Sequence, residues 1–482
     1  MSVFPLRLRR SLILNSAAIF GGEAVARCAT LFMAVVIARK FGPTALGEYG
    51  YALALASVIL LVPDFGMHLF AVREISIDAR CLPRIFWNIH WLKFLLTGAI
   101  ALCVAFASAW VIPDSERRIL FYFLAARAIL QTYSQASMAV FKAFERMHYI
   151  AFQQSVNSLV LMLWVTVALM LRADLWTLVS ALIAGQAAET FLGWHILRSR
   201  FSLGVFAKWN GKLISAVAVA SIPIGITTML QALNLRIDIL VLGRFVPNQV
   251  LGQFQAVSWL PVGTFVVTSL MIGVLFPRLS RLLSGDSMQG AAYVKGLLKN
   301  GLLVTASGSL VLWFAAPMLL IGIFGKSLAP AIPTLRLMTP MLPLVFLNTT
   351  LFYVFVAARR RAVYLSTLGV GVALGLGLSS FLTAHYGVTG CALADVAREF
   401  TMTAVYLFFL VQQNHARAAG RALLRVFIPT TLLAGLVGLA AFSSRLDSRW
   451  CAVWMVLVLS ETLLVFGFPR LSEWRFLTDE RL

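Results

Sequence analysis

The sequence predicts an all-α polytopic membrane protein of about fourteen transmembrane helices, built as two six-helix lobes followed by a C-terminal helix pair, and three observations carry that expectation. The first is composition. Of 482 residues, 60% are hydrophobic and only 12% charged, with a mean hydropathy of +0.88, whereas a soluble domain is nearer one-half apolar. The second is that apolar runs long enough to cross a bilayer recur along the whole chain. The third is a weak internal repeat, with copies pointing the same way through the membrane.

Taken in order, the spans fall near 12–38, 46–70, 84–112, 118–141, 150–171, 174–197, 214–243, 248–276, 298–324, 331–357, 362–384, 388–413, 424–443 and 450–469. The charged start MSVFPLRLRRSLILN resembles a signal peptide, but the apolar run continues to about Ile37 without a cleavage pattern, so the first span is expected to be retained. Several spans contain Gly or Pro, as in SIPIG (221–225) and GVGVALGLGLSS (369–380). Membrane helices tolerate these where neighbours satisfy the freed backbone groups.

Lysines and arginines divide unequally between the two sides. One side collects 25, including Arg73, Arg80, Arg84, Lys142, Arg146, Arg198, Arg200 and Arg359 to Arg361; the other collects nine, including Arg39, Arg172 and Arg244. This positive-inside bias predicts that both termini are cytoplasmic, which also requires an even number of spans. The net charge of +21 is then topological, and no compact basic domain points to nucleic acid. Cys28, Cys81, Cys103, Cys391 and Cys451 are scattered without CxxC or His/Cys spacing, so neither disulfides nor a metal site are expected. No GxxxxGK[ST] loop is present for ATP.

The repeat lays RKFGPTALGEY (39–49) over RFVPNQVLGQF (244–254), matching Arg39 with Arg244, Leu46 with Leu251, Gly47 with Gly252 and Tyr49 with Phe254. The same offset carries Arg73 onto Arg278. It spans six helices and predicts lobes at 1–212 and 213–415, with residues 416–482 as an additional pair and tail. Substrate is then expected between the lobes.

An Asn in the first span, then ARKFGPTALGEYGYALALA, PDFG and VREIS, resembles the N-terminal half of Wzx-type polysaccharide and oligosaccharide flippases. In the second half LRIDILVLGRF, VLGQFQAVSWLP, LFPRLS, FYVFVAARRRAVYL and GVTGCALADVAREF are similar to later patterns of the same family. The superfamily also contains lipid II flippases and multidrug extruders. The resemblance covers most of the chain and weakens after about residue 415. It implies a transporter, not an enzyme, without a cofactor, that turns undecaprenyl-pyrophosphate-linked oligosaccharide across the bacterial inner membrane by alternating access. Cargo of this kind serves O-antigen, capsule or exopolysaccharide synthesis, and membrane lipids, a polysaccharide polymerase and assembly proteins are the implied partners.

Such cargo carries an anionic diphosphate and a polar glycan, so a wet, cationic cleft is required. Charges inside spans are its candidates, because each costs at least about 2.5–3.5 kcal/mol facing lipid at the bilayer centre. Arg27, Arg127 and Arg236 are the candidate substrate-binding residues; Glu23, Asp64, Glu189 and Asp238 are candidates for coupling to a proton or sodium gradient. Glu23 and Arg27, at i and i+4, also suit a simple helix-surface pair. Arg127 shares a helical stripe with Gln131, Ser134 and Gln135, which reads as water-lined. Asp64, between Pro63 and Phe65–Gly66, fits a capping carboxylate at a helix break equally well. Glu189 suits either a proton carrier or a helix anchor.

Asp395, Arg398 and Glu399 can satisfy one another and lean towards structure. His90 and Lys93 are placed near the basic face, where a lysine can snorkel. Trp87, Trp91, Trp176 and Trp209 are read as an interfacial belt, and Trp164 and Trp259 as deeper packing residues. On a continuous helix Arg236 and Asp238 point roughly 160° apart and need separate partners, with Arg236 the better cleft candidate.

Three rivals stay open. A lipid II flippase would share the diphosphate, and a cation-coupled drug exporter would share the fold but not the preference for arginine. A membrane glycan polymerase or ligase would need catalytic groups on a substantial loop, and the longest inter-span segments, 198–213 and 277–297, hold no paired carboxylates.

Overall fold

A computed structural model describes residues 6–412 apart from 60, 112–114, 202, 204–208 and 285–287, with the backbone alone described for 6–20 and a few other positions. The expected spans 424–443 and 450–469, and with them the C-terminal pair, lie outside the described residues. Within these residues all regular structure is helical. Eight helices are long and apolar enough to cross a membrane, or nine if the bent pair Lys326–Met338 and Met341–Ala357 is one span. The chain is a multi-pass membrane protein. Contacts divide it into two compact units, Met1–Arg236 and Ile237–Leu482.

The first unit begins with α1 (Leu6–Ile59), whose 54 residues are interrupted at Gly42, φ 82°. A continuous helix of that length would run about 80 Å, more than twice the hydrocarbon thickness, so α1 holds the first expected span and most of the second. The second span then breaks. Residues 61–66 form turns, and α2 (Met67–Ile77) resumes after Gly66 at φ 80°. A Cβ on Gly66 would meet Ile224 Cγ2 at 2.8 Å and Gly225 N at 2.9 Å, while Gly225 in turn lies against the Phe65 ring. Glycine is therefore required both by conformation and by close approach.

The unit continues through α3 (Leu82–Val111), α4 (Ser115–Ala143), α5 (Met147–Met170), α6 (Leu175–Arg200) and α7 (Gly211–Asn234). α7 packs on α1, α2 and α3 and so belongs to the first unit, whereas the repeat places the lobe boundary before it, at 212. α4 is absent from the eight apolar helices. The polar stripe through Arg127, Gln131, Ser134 and Gln135 lowers its hydropathy, and α5, α6 and α1 cover it. A buried cluster of Met67, Phe86, Ile89, Val140, Phe141 and Leu197 joins α2, α3, α4 and α6.

The second unit opens with the short α8 (Ile237–Phe245), followed by α9 (Asn248–Ser284) and α10 (Met288–Leu319). After a π-helical turn (Leu320–Phe324) and a 3-10 segment (Lys326–Ala331) come α11 (Ile332–Met338), α12 (Met341–Ala357) and α13 (Arg361–Gln412). α13 contains Gly387 at φ 57°. Past it, Gly390 lies directly against the carbonyl oxygen of Leu382, eight residues earlier. Residues that far apart on one helix would be separated by about 12 Å, so the chain reverses at Gly387 and α13 is a helical hairpin holding the expected eleventh and twelfth spans. Its second arm packs on α12, where Leu347, Leu351, Phe355, Tyr406 and Leu407 form the core.

Both copies of the repeat straddle a helix junction: Gly42–Pro43 within α1, and Val246–Pro247 between α8 and α9. Leu46, Tyr49, Leu251 and Phe254 are all 0% exposed, whereas Arg39 and Arg244 are exposed at the preceding helix ends. The matched residues thus do the same local work in each unit.

Candidate functional site

The polar interior of the first unit is assembled by four helices. Glu189, on α6, is buried; its Oε1 accepts from Ser134 Oγ of α4 at 2.5 Å, and its Oε2 accepts from Asn157 Nδ2 of α5. Gln153 Nε2 donates to the Glu189 carbonyl and to Ser137 Oγ, each at 3.0 Å. Gly185 and Gly193 make room on α6, since side chains there would strike Asn157 and Gln153. The carboxylate is held by neutral donors, without an ion pair among the described residues.

Arg127 sits one helical turn before Gln131 and two before Ser134, on the stripe the sequence indicates. It is half-buried, lies within electrostatic range of Glu189 and Tyr49, and makes no hydrogen bond or ion pair among the described residues. Arg236, half-buried in the turn after α7, is likewise within electrostatic range of Tyr49. Tyr49 is fully buried and its hydroxyl has no hydrogen-bond partner among the described residues. Two of the three candidate arginines therefore converge on one phenol. The only sequence signal for Tyr49 is its place in the repeat, where Phe254 lacks the hydroxyl.

Glu23 and Arg27 form the expected i, i+4 pair, Nη2 to Oε1 at 2.7 Å, and Gln154 Nε2 of α5 donates to Glu23 Oε2 at 3.1 Å. Arg27 is about half exposed and its charge is engaged by Glu23.

Asp64 accepts from Lys93 Nζ of α3 at 2.5 Å and pairs with His68 Nδ1, and Lys93 also donates to the Thr132 carbonyl of α4 at 2.8 Å. Two readings change here. Asp64 does not cap α2, since Gly66 is the N-cap residue and no side chain caps it. Lys93 does not snorkel: it is 0% exposed, because Asp64 supplies a countercharge inside the unit. His90 is buried too, its Nδ1 at 2.8 Å from the Phe86 carbonyl. Trp87 is 6% exposed, packed with Phe86, His90 and Trp194 instead of forming an interfacial belt.

In the second unit Arg398 Nη1 lies 3.1 Å from Asp395 Oδ1, and Nη2 lies 3.4 Å from Glu399 Oε1. Asn348 Nδ2 donates to Glu399 Oε2 at 2.7 Å and accepts through Oδ1 from Thr403 at 2.8 Å. Asp238, on α8, is buried within electrostatic range of Arg398. The helix does not run through LQALNLRIDILVLGRF: α7 ends at Asn234 and α8 starts at Ile237. The 160° separation assumed a continuous helix and does not apply. Arg236 occupies the break and Asp238 the first turn of a new helix.

A family model for a polysaccharide biosynthesis protein matches residues 12–283. The chain belongs to this family. Solved membrane transporters share its fold. "Lipid II flippase MurJ, inward closed conformation" is 14% identical, with a TM-score of 0.69 over 94% of this chain and 98% of that one. An inward-facing multidrug resistance MATE transporter of the MOP superfamily is 11% identical, with a TM-score of 0.66 over 84% of this chain and 98% of that one. The Vibrio cholerae MATE transporter VcmN, in its bent form, is 14% identical, with a TM-score of 0.57 over 86% of this chain and 98% of that one. No curated protein matches in sequence. The family member described here thus has the fold found in flippases and multidrug transporters of the MOP superfamily.

Proposed function

We propose that this protein flips an undecaprenyl-pyrophosphate-linked oligosaccharide from the cytoplasmic to the outer leaflet of the bacterial inner membrane by alternating access, with both termini cytoplasmic. The observation that carries the reading, within a polysaccharide biosynthesis family, is an arginine that the fold leaves uncommitted. Arg127 stands half-buried in a polar stripe without a hydrogen bond or ion pair among the described residues. A guanidinium kept in that state inside a membrane protein costs stability, and an anionic ligand offsets the cost by bidentate hydrogen bonding. Arg236, which like Arg127 stands within electrostatic range of the buried Tyr49, adds a second positive charge to the same region, whereas the charge of Arg27 is engaged by Glu23. An amphipathic cation, the cargo of a drug exporter, would be repelled there.

Glu189, Asp64, Asp238 and Glu23 are the acids through which coupling to a proton or sodium gradient would run. Glu189 suits the role best, because its neutral donors can hold either protonation state of the carboxyl.

The test is translocation of a fluorescent lipid-diphosphate-linked glycan by the full chain in proteoliposomes, with and without an imposed pH or sodium gradient. Arg127→Gln is expected to slow translocation at least tenfold at unchanged protein level. Normal translocation by R127Q would overturn the cationic-patch reading. Faster transport of lipid II than of a repeat-unit glycan would replace the proposed cargo with lipid II.

A further inference from the structure

We infer that the first unit carries a binding groove for an anionic phospholipid between α4 and α6, with its headgroup phosphate held by Arg198 and His195. The groove has a volume of about 500 Å³ and is lined by Leu130, Ala187, Thr190, Phe191, Trp194, His195 and Arg198. That is the size range of small-molecule ligand sites. It belongs to neither the Glu189 network nor the Arg127 patch.

Its lining is graded along α6. Phe191, 76% exposed, lies towards the middle of the membrane, while Arg198 is seven residues further on, about 10 Å along the axis. The gradation matches a lipid, because with the phosphate at Arg198 the level of Phe191 falls among the acyl carbons. His195 and Arg198 are three residues apart and so share the helix face that looks into the groove. Both are exposed donors at the helix C-terminus.

The walls are fixed before any ligand arrives. Thr190 Oγ1 bonds the Leu130 carbonyl across to α4 at 3.1 Å and its own Gln186 carbonyl at 2.8 Å. Trp194 is braced edge-on by Trp87 and His90, each with ring centroids 5.6 Å away. A rigid, aromatic wall topped by basic donors costs little to order around an acyl chain.

The charge level of the membrane is marked independently. On the other side of the α6 terminus a second groove of about 470 Å³ is lined by Phe144, Arg146, Tyr149, Arg200 and Phe201. Ser76 Oγ meets the Ala143 carbonyl at 3.4 Å, which brings the end of α2, with Arg73, to the same level. Basic pockets between helices at a cytoplasmic face suit anionic headgroups, and the Lys and Arg bias of the sequence places this end there. A zwitterionic headgroup offers no net charge to Arg198, and the lipid reading accounts both for the basic end at His195 and Arg198 and for the apolar end at Leu130, Ala187 and Phe191.

The experiment is native mass spectrometry of the full chain in detergent, titrated with phosphatidylglycerol and, separately, phosphatidylethanolamine. Thermal melting checks the fold of each variant. Retention of phosphatidylglycerol over phosphatidylethanolamine is expected, weakened about fivefold in Arg198→Gln and again by a similar factor when His195→Gln is added. Arg84→Gln, which removes an equal charge at the start of α3, is expected to leave retention unchanged. Equal retention of the two lipids, or equal losses in R84Q and R198Q, would overturn the groove in favour of a diffuse basic surface. If undecaprenyl diphosphate displaces phosphatidylglycerol in an R198Q-sensitive way, the phospholipid assignment falls and the groove belongs to the carrier lipid. Glycan translocation by R127Q reads the proposed function separately, so either result stands without the other.

Discussion

Buried acids in the two units are satisfied in opposite ways. Glu189 is held by a serine and an asparagine, and among the described residues it has no ion pair and the arginine in its range makes no hydrogen bond or ion pair. Glu399 and Asp395 instead share Arg398 directly, and Asn348, itself held by Thr403, donates to Glu399. The difference separates Arg398, shared by two carboxylates of its own helix, from Arg127, which makes no hydrogen bond or ion pair among the described residues and which the proposed function assigns to an anionic ligand. A paired buried arginine contributes to a unique packing, and removing it strands its acids. Removing one without such partners strands no acid, so its loss is expected to show in transport before it shows in stability.

The largest effect tests the committed side. Arg398→Ala should cost about 3–5 kcal/mol by leaving Asp395 and Glu399 without a countercharge, seen as loss of folded protein or a large fall in melting temperature in detergent. An unchanged melt would break the comparison, because Arg398 would then be as uncommitted as Arg127. Lys93→Met should be nearly as damaging, since Asp64 loses the ammonium buried beside it. Adding Asp64→Asn should recover part of that loss, and a double-mutant cycle showing strict additivity would remove the pair from the account.

On the uncommitted side, Arg127→Gln should move the melt by no more than about 1 kcal/mol while transport falls at least tenfold. A stability loss as large as that of R398A would show that Arg127 has a structural partner after all. The smallest effect lies outside both interiors. Asp174 caps α6 by accepting from the Thr177 hydroxyl and backbone N–H, at 2.6 and 3.1 Å, and these bonds hold its carboxyl below the usual carboxylate range. A depressed folded value means that the cap's contribution is present above the unfolded carboxylate pKa and is lost as pH falls through the folded one. Asp174→Ala should therefore lower the melt slightly at neutral pH and not at all in strong acid; an equal shift at both would assign the effect to helix propensity instead.

Legibility followed range. The Arg127 stripe, the Glu23–Arg27 pair and the mutual satisfaction of Asp395, Arg398 and Glu399 were readable, because each lies within one or two turns of a single helix. The Asp64–Lys93 pair was not, since it joins residues 29 apart on different elements, and a lysine close to the basic face is ordinarily free to reach water. That Arg127 and Arg236 both come within electrostatic range of Tyr49 was hidden for the same reason, and a tyrosine in an apolar run is normally a packing residue.

By itself the sequence determined that this is a polytopic helical membrane protein, where most spans run, that two copies of one helix junction exist, and which family it belongs to. Those properties depend on hydropathy and local order, which are additive along a chain. Only the tertiary structure decided that α1 and α13 divide at glycines, that the LRIDIL segment is two helices, and which buried charges are paired and which are left open. Pairing depends on what stands across the helix interface, where charges tens of residues apart meet in a medium that makes every unmatched one costly.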